Sequence, residues 1–317
     1  MDNKRKLGRS ELLVSPLTFG GNVFGWTLDE EESFRILDAF LEAGFNFIDT
    51  ADTYSSWVPG NKGGESETII GNWLKKTGRR KEVIIATKLG GELSKQKKGL
   101  SSKYIKEAVE ASLSRLQTDY IDLYQSHYDD KKTPVSETMT AFNDLIKEGK
   151  VRYIGASNLS AERIKQSNQF ARENNLAPYI SLQPLYNLYD RERFEKEYLP
   201  IIEEESLGVI NYYALASGFL SGKYRGGKDL DISKRGPGVK KYLNKRGTRI
   251  LKALDAVAEE HKVAVAQIAI AWLLHKPGIT SPIVSATNKK QLKELVNATT
   301  IKLSPDQIEV LDQASQA

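Results

Sequence analysis

Four side chains with complementary acid–base chemistry lie at or just after the ends of three apolar segments: Asp49, Tyr54, Lys88 and His127. Each of them alone has an ordinary structural explanation, since a carboxylate at a strand end often caps a loop and a single histidine is more often structural than catalytic. Together they supply a carboxylate, a phenol, an ammonium group and an imidazole. If the three segments are neighbouring strands of one sheet, these groups share a small space and form a site for proton transfer.

The combination of a tyrosine with a lysine is the informative part of this set. A free tyrosine titrates near pH 10, which is too high for efficient proton exchange at neutral pH. An ammonium group about 4 Å away stabilises a phenolate by roughly 4 kcal/mol at an effective dielectric constant of 20, or about three pK units, before desolvation offsets part of it. We therefore expect Lys88 to lower the pKa of Tyr54, and Asp49 to hold Lys88 charged.

The chemistry that such a site performs is the protonation of a carbonyl oxygen. His127 is placed to donate a hydrogen bond to the same oxygen as Tyr54. Because the sequence shows no activated protein nucleophile, we expect the group that attacks the carbonyl carbon to be a hydride from a cofactor.

The composition excludes several other classes of site. The chain has 317 residues and no cysteine, so disulfides, thiolate metal sites and cysteine nucleophiles are excluded, and three scattered histidines predict no metal centre. The formal net charge is +5, and its densest basic run, 223–246, holds nine Lys or Arg against two Asp. We interpret this run as a solvated loop, and we expect no nucleic-acid partner.

Membrane insertion is also not expected. No stretch approaches 18 uninterrupted apolar residues, and the basic N-terminus leads into no apolar signal core. The sequence therefore predicts a cytoplasmic protein. Its oligomeric state is not readable from the sequence.

Eight short apolar runs are typical of parallel strands buried on both faces. They are PLTFGG at 16–21, FNFIDTA at 45–51, VIIATK at 83–88, IDLYQSH at 121–127, YIGASN at 153–158, ISLQP at 180–184, GVINYYAL at 208–215 and SPIVSA at 281–286. Segments with helical spacing separate them. Eight such units predict a closed α/β barrel of the (β/α)8 type, in which the site lies at the carboxyl ends of the strands.

Additions to the barrel account for the rest of the chain. KRKLGRSELLVSP predicts an N-terminal β-hairpin, and further helices are expected near 247–262, 264–275 and 304–315. We expect one barrel domain over 1–317. The alternative, an open doubly wound sheet, lacks its phosphate-binding fingerprint, because GGNVFG at 20–25 does not match G-x-G-x-x-G.

With these segments in place, the sequence resembles the aldo-keto reductase family over essentially its whole length. The segments that carry the resemblance are KLGRSELLVSPLTFGG, FNFIDTADTY, IIATKLG, LQTDYIDLYQSH, GKVRYIGASNLS, LQPLYN and LASGFLSGKY. The resemblance implies an enzyme that reduces aldehydes or ketones to alcohols with NADPH, bound without a Rossmann fold. It implies Asp49, Tyr54, Lys88 and His127 as the catalytic tetrad, with Tyr54 as the general acid.

The resemblance also implies a set of cofactor-binding residues. Ser157, Asn158 and Gln183 match residues that hold the nicotinamide carboxamide, and Tyr212 matches the aromatic residue that stacks on its ring. The full set is Gly21, Ser157, Asn158, Gln183, Tyr212, Leu215, Ser217, Ser285, Thr287, Asn288, Lys289, Gln291 and Glu294. A helix that begins near residue 289 would direct its N-terminus at phosphate.

Two regions depart from the better-known members of the family. Ser285, Gln291 and Leu295 stand where many members carry Lys, Arg and Asn, so Lys289 or Lys290 would supply the charge for a 2′-phosphate, and NADH remains an alternative cofactor. NYYALAS stands where a Pro-Leu-Gly sequence is common, which alters the pyrophosphate loop.

The expected partner is a small carbonyl substrate. Phe24, Trp26, Trp57 and Tyr128 lie on loops at the expected mouth, which would favour apolar or ring-bearing carbonyls, although some of the four could simply pack loop ends. The alternative function is that of a nicotinamide-binding regulatory or sensor protein with slow turnover, since channel-associated subunits occur in the same family.

Overall fold

The N-terminal hairpin closes one end of the molecule. In this computed structural model, which describes residues 4–316, β1 (Arg5–Lys6) pairs antiparallel with β2 (Leu13–Val14). Residues 1–3 and 317 of the expected domain lie outside the described part. Gly8, at the turn, has a φ of 55°, and a Cβ there would lie 2.2 Å from the Ile180 carbonyl oxygen. The hairpin therefore packs tightly against the amino ends of the strands, and the predicted hairpin is confirmed.

Eight parallel strands form the barrel and confirm the predicted fold class. They are β3 (Thr18–Gly20), β4 (Phe47–Asp49), β5 (Ile84–Leu89), β6 (Ile121–Ser126), β7 (Val151–Ser157), β8 (Tyr179–Gln183), β9 (Gly208–Val209) and β10 (Ile283–Val284). Each pairs with the next along the chain, and β10 pairs with β3. Hydrogen bonds from Thr280 N to Val209 O (2.9 Å) and from Ile283 N to Asn211 O (2.9 Å) join the two remaining edges and close the barrel.

Ten helices surround the strands in the described residues. They are α1 (Glu30–Glu42), α2 (Glu65–Thr77), α3 (Ser102–Leu116), α4 (Val135–Lys147), α5 (Ala161–Glu173), α6 (Leu199–Glu204), α7 (Lys245–His261), α8 (Val265–His275), α9 (Lys289–Ala298) and α10 (Pro305–Ser315). The expected helices near the C-terminus are α7, α8 and α10. Within residues 4–316, no helix has both the length and the apolar character needed to cross a membrane.

The basic run 223–246 forms two 3₁₀ turns, Gly227–Ile232 and Gly236–Tyr242, on the carboxyl side of the barrel. Tyr242 is fully buried, with its ring stacked 5.3 Å from that of Phe219. Arg225 forms two hydrogen bonds to the Asp255 carboxylate, at 2.7 and 2.8 Å. The run is therefore anchored on the barrel, which differs from the interpretation as a freely solvated loop.

Candidate active site

The carboxyl ends of β4 and β5 bring Asp49 and Lys88 into a fully buried ion pair. The Lys88 Nζ donates to the two Asp49 carboxylate oxygens at 2.8 and 2.7 Å, and to the Thr50 carbonyl oxygen at 2.6 Å. All three ammonium protons therefore have acceptors. Both side chains are inaccessible to solvent, so the charge of each depends on the other.

Tyr54, on the connection that follows β4, lies directly beside this pair. Its hydroxyl donates to Asp49 Oδ2 at 3.2 Å, and the Lys88 Nζ lies 4.6 Å from the centre of its ring. Burial, and then the negative charge of Asp49, raise the pKa of Tyr54 well above its usual value. This direction is opposite to the one expected from sequence, because the lysine protons are directed at Asp49 and Thr50, and the charge in contact with the phenol is a carboxylate.

Two amides complete the surroundings of Asp49. Gln183 Nε2 donates to Asp49 Oδ1 at 2.8 Å, and Gln125 Nε2 approaches the same oxygen at 3.3 Å. With Tyr54 and the two bonds from Lys88, this carboxylate accepts five hydrogen bonds. Gln125 is not among the predicted site residues. The sequence feature that could have indicated Gln125 is a single amide within an apolar strand. In the sheet, Gln125 on β6 lies directly opposite Lys88 on β5.

His127 follows β6 and is neutral in this environment. Burial, and then the positive charge of Lys88, lower its pKa well below the usual value. Its ring is 6.1 Å from that of Tyr54 and is stacked on Tyr128 at 4.5 Å. Its Nδ1 lies 3.4 Å from Thr53 Oγ1. If that hydroxyl donates to Nδ1, the Nε2 carries the proton and can donate to a bound molecule.

The residues expected at the nicotinamide are linked to the same site. Asn158 Nδ2 donates to the His127 carbonyl oxygen at 3.0 Å, and Asn158 Oδ1 accepts from the Tyr212 hydroxyl at 2.8 Å. Ser157 Oγ donates to the Gln183 carbonyl oxygen at 2.8 Å. These side chains come from the ends of β7 and β8 and from the connection after β9, so the topology brings them together.

One cleft of about 840 Å³ contains most of the predicted residues. Its walls include Tyr54, His127 and two residues from the N-terminal part of α9, Gln291 and Glu294. The predicted cofactor residues that line it are Ser157, Asn158, Gln183, Tyr212, Leu215, Ser217, Ser285, Thr287, Gln291 and Glu294. Asp49 and Lys88 lie beneath its floor. Both contact Tyr54, which lines the cleft.

Three predicted cofactor residues do not line this cleft. Gly21 is buried, and its carbonyl accepts from Ser66 Oγ at 2.8 Å. Asn288 caps α9, where its Oδ1 accepts from Gln291 N at 2.9 Å. Lys289, the first residue of α9, is exposed. The helix N-terminus itself nevertheless adjoins the cleft through Thr287 and Gln291.

Two of the four predicted substrate residues line the cleft, and two do not. Trp57 and Tyr128 are half-exposed in its wall. Phe24 is fully buried, because its ring stacks on Phe19 at 5.4 Å within the core. Trp26 lies at the edge, with its ring 5.7 Å from that of Trp57.

The anchored run 223–246 supplies positively charged side chains to the cleft. The sequence analysis described this run as basic but singled out none of its lysines or arginines. Lys223, Lys234 and Arg235 line the cleft, and within residues 4–316 no carboxylate forms a salt bridge with any of them. Lys234 Nζ donates to the Trp26 carbonyl oxygen at 3.2 Å. Arg235 is partly buried, with its guanidinium 5.4 Å from the Trp26 ring centre.

Asn22 connects this run to the opposite wall. The Asn22 amide forms hydrogen bonds on both sides in one orientation. In it, the amide oxygen accepts from the Arg235 guanidinium at 3.1 Å, and the amide nitrogen donates to Ser285 Oγ at 2.9 Å. Burial lowers the pKa of Arg235. A charged guanidinium without a carboxylate partner, held at the wall of a cleft, favours the binding of an anion there. Asn22 and Tyr213 both line the cleft, and neither is among the site residues predicted from the sequence.

Behind the floor lies a second buried acid, Asp52, with very different surroundings. Neither of its oxygens has a hydrogen-bond partner among the described residues. Its neighbour Glu67 is also buried and is paired with Arg115 at 2.6 Å. Burial, and then the charge of Glu67, raise the pKa of Asp52 to about 8.

Comparisons with known proteins identify the family of the chain. The profile of the aldo/keto reductase family matches residues 16–316. A probable voltage-gated potassium channel subunit beta from Oryza sativa subsp. japonica is 36% identical, over 99% of this chain and 96% of its own. An uncharacterized oxidoreductase, YrpG, from Bacillus subtilis (strain 168) is 34% identical, over 96% and 94%. An aryl-alcohol dehydrogenase from Pestalotiopsis microspora is 33% identical, over 98% and 83%. The chain belongs to the aldo/keto reductase family.

Proposed function

We propose that this protein reduces aldehydes or ketones to alcohols with NADPH as the cofactor, and that Tyr54 is the proton donor. The observation that carries the proposal is the arrangement of Tyr54, Lys88 and Asp49, in which a partly buried phenol lies beside a fully buried ammonium–carboxylate pair at the floor of a cleft. Membership of the aldo/keto reductase family supports carbonyl reduction in general.

The residues that line the cleft match the chemical groups of a dinucleotide. The polar groups of Asn158 and Gln183 adjoin the proton donor, where a carboxamide would bind. Lys223, Lys234 and Arg235 line the cleft without carboxylate partners among the described residues, and they would offset the negative charge of the two bridging phosphates. The N-terminus of α9 favours a further anion. NADH would satisfy all of these contacts except those of a 2′-phosphate.

The bound nicotinamide would supply the hydride, and the residues of this chain would handle the proton. The raised pKa of Tyr54 keeps the phenol protonated throughout the neutral range. A raised pKa also makes the phenol a weaker acid, so it gives up its proton only to the negative charge that develops on the substrate oxygen, and the phenolate that remains needs stabilising. When the proton leaves, the phenolate that forms lies 4.6 Å from the Lys88 ammonium, measured to the ring centre. This cation stabilises the new negative charge, and Asp49 holds the cation in position.

His127 would hold the substrate oxygen in place for this transfer. A neutral imidazole donates one hydrogen bond without competing as an acid. Its lowered pKa ensures that form at neutral pH. The ring is fixed by its stacking on Tyr128, so the donor direction is set before the substrate arrives.

The proposal is tested with Tyr54→Phe. The tryptophan fluorescence of the unmodified protein is titrated with NADPH and NADH, and the oxidation of reduced nicotinamide is followed with a panel of aromatic and aliphatic aldehydes. We expect the variant to bind cofactor within a few-fold of the parent and to lose about 10³-fold or more in kcat, because only the proton donor is removed. Near-normal turnover in the variant would refute the role of Tyr54.

A second candidate function is a regulatory subunit that binds the cofactor with slow turnover. The specific observation in its favour is the similarity to probable potassium channel beta subunits from Oryza sativa and Arabidopsis thaliana. Tight binding of NADPH by the unmodified protein, with no measurable oxidation across the aldehyde panel, would favour this function over the reductase.

A further inference from the structure

Tyr213 has a backbone conformation that tyrosine rarely adopts. Its φ is 55°, in the left-handed region. For a bulky side chain this region is a genuine outlier, because the Cβ approaches the carbonyl oxygen. Such conformations persist only where the surroundings impose them, and they are concentrated at functional sites.

The surroundings of Tyr213 do impose it. Its carbonyl oxygen accepts hydrogen bonds from Asn187 Nδ2 at 3.0 Å and from Ala216 N at 2.7 Å. Asn187 is fully buried and also donates to Asp190 Oδ2 at 3.1 Å. The same Asp190 oxygen accepts from the Tyr242 hydroxyl at 2.7 Å. The backbone of Tyr213 is therefore fixed from the connection after β8 and from the run 223–246.

This conformation is not compensated by burial of the side chain. Tyr213 is 50% exposed, and its ring makes an edge contact with that of Tyr212 at 5.3 Å. A smaller residue would lose little core packing here. What the strained backbone achieves is to direct an aromatic ring into the wall of the cleft.

Two other half-exposed aromatic rings line the same cleft. Trp57 is 51% exposed and Tyr128 is 50% exposed, and they come from the connections after β4 and β6. Trp57 makes an edge contact with Tyr54 at 6.3 Å, and Tyr128 is stacked on His127. Burial, and then the charge of Tyr213, raise the pKa of Tyr128. We call Trp57, Tyr128 and Tyr213 the aromatic collar.

We propose that Tyr213 is a specificity-determining residue, and that the aromatic collar selects flat, ring-bearing carbonyl compounds over aliphatic ones of the same size. This inference rests on the proposed function. Aromatic rings attract one another most in offset-stacked or edge-to-face contact at 4.5–7 Å, beyond the effect of the area that they bury. A saturated ring fills the same volume without that attraction. Because the collar adjoins both Tyr54 and His127, a ring held there presents an attached carbonyl group to them.

The test compares benzaldehyde with cyclohexanecarboxaldehyde, which have the same number of carbon atoms but differ in flatness and π-electrons. kcat/KM is measured for both aldehydes in the unmodified protein and in Tyr213→Phe, Tyr213→Leu and Tyr213→Gly. We expect Phe to keep the aromatic-to-aliphatic ratio within about twofold, and Leu and Gly to lower it about three- to tenfold, mainly through KM for benzaldehyde.

Two comparisons separate the effect of losing the Tyr213 ring from the effect of relieving its backbone and from the effect of trimming any exposed side chain. Glycine relieves the left-handed strain while leucine retains it, so an equal fall in both variants assigns the effect to the ring. Val310→Ala, which trims an exposed apolar side chain on α10, should leave the ratio unchanged.

The outcomes distinguish this inference from the proposed function. A ratio that stays within twofold in both Leu and Gly, in a protein that reduces both aldehydes, would overturn the role of Tyr213 alone. If the unmodified protein reduces neither aldehyde with NADPH or NADH, the proposed function fails and this inference fails with it.

Discussion

Asp49 and Asp52 are three residues apart and both are buried, yet their surroundings are opposite. Asp49 accepts five hydrogen bonds and contacts a lysine. Asp52 has no hydrogen-bond partner for either side-chain oxygen among residues 4–316. The region around Asp49 forms the floor of the cleft, whereas Asp52 lies behind it beside the Glu67–Arg115 pair.

The difference shows that the supply of donors, and not burial as such, determines what a buried carboxyl group does. Burial disfavours the charged form of both residues. Lysine and amide protons offset that cost at Asp49, so it can serve as the anionic partner of Lys88. At Asp52 nothing offsets it fully, so the raised pKa of about 8 makes it a neutral acid at pH 7.

The largest effect on stability and turnover is expected when Asp49 loses its lysine partner and so resembles Asp52, which has none. Lys88→Met removes the cation and leaves a buried carboxylate without its counterion, which typically costs about 3–5 kcal/mol of stability. It also removes the charge that stabilises the Tyr54 phenolate, so we expect kcat to fall about 10³-fold. Urea unfolding and steady-state kinetics measure the two effects.

The matched control for this variant is Lys103→Met, which removes a lysine that is exposed on α3. It should change neither stability nor turnover appreciably. Equal behaviour of the two variants would show that the buried pair contributes nothing special.

A smaller effect, on stability rather than turnover, is expected from Asp52→Asn. The folded protein holds the Asp52 proton up to a pKa of about 8, whereas the unfolded chain releases it near the ordinary aspartate pKa of 3.8. The parent therefore loses stability as the pH rises from about 4 to 8. Asparagine cannot ionise, so the advantage of the variant should grow by on the order of 3–4 kcal/mol between pH 5 and 8.

Urea unfolding at the two pH values tests this expectation, with Asp119→Asn at an exposed carboxylate as the control. Because Asp52 makes no hydrogen bond to the floor, kcat should stay within a few-fold of the parent. A stability difference that does not depend on pH would mean that Asp52 is already ionised in the folded state.

The smallest effect is expected from Gln125→Leu, which sharpens the comparison by removing one of the two amide donors to Asp49. The bond is 3.3 Å long and Lys88 remains in place. We expect a loss of about 1 kcal/mol in stability and a fall in kcat of less than tenfold. A loss as large as that of Lys88→Met would mean that the amide, and not the lysine, controls the charge of Asp49.

The fold and the floor of the site were predictable because both follow from strand positions. The eight apolar runs correspond to the eight barrel strands, and the carboxyl ends of parallel strands converge on one face. Asp49, Lys88 and His127 were therefore expected to meet, and the structure brings them together with Tyr54. The single-domain organisation and the catalytic and cofactor roles remain predictions.

The walls of the cleft were less predictable because they depend on how the connecting loops fold. No pattern in the sequence indicates that Tyr213 adopts a left-handed φ, or that Arg235 extends to Asn22. Phe24 follows a strand as the site residues do, yet the turn after β3 directs its ring into the core. The pKa of Tyr54 was expected in the wrong direction, because the sequence does not show how far the phenol is removed from water or that its hydroxyl contacts Asp49.

The closure of the barrel by its last strand has a consequence for synthesis. β10 is the strand that pairs with β3, and Ile283 also bonds to Asn211 near β9. Until residues near 283 leave the ribosome, both ends of the sheet are open edges, which invite pairing with other chains. Ser285, Thr287 and Gln291 follow directly, so the cleft is completed at the same late moment. We therefore expect nascent chains that stop before β10 to aggregate rather than to bind cofactor.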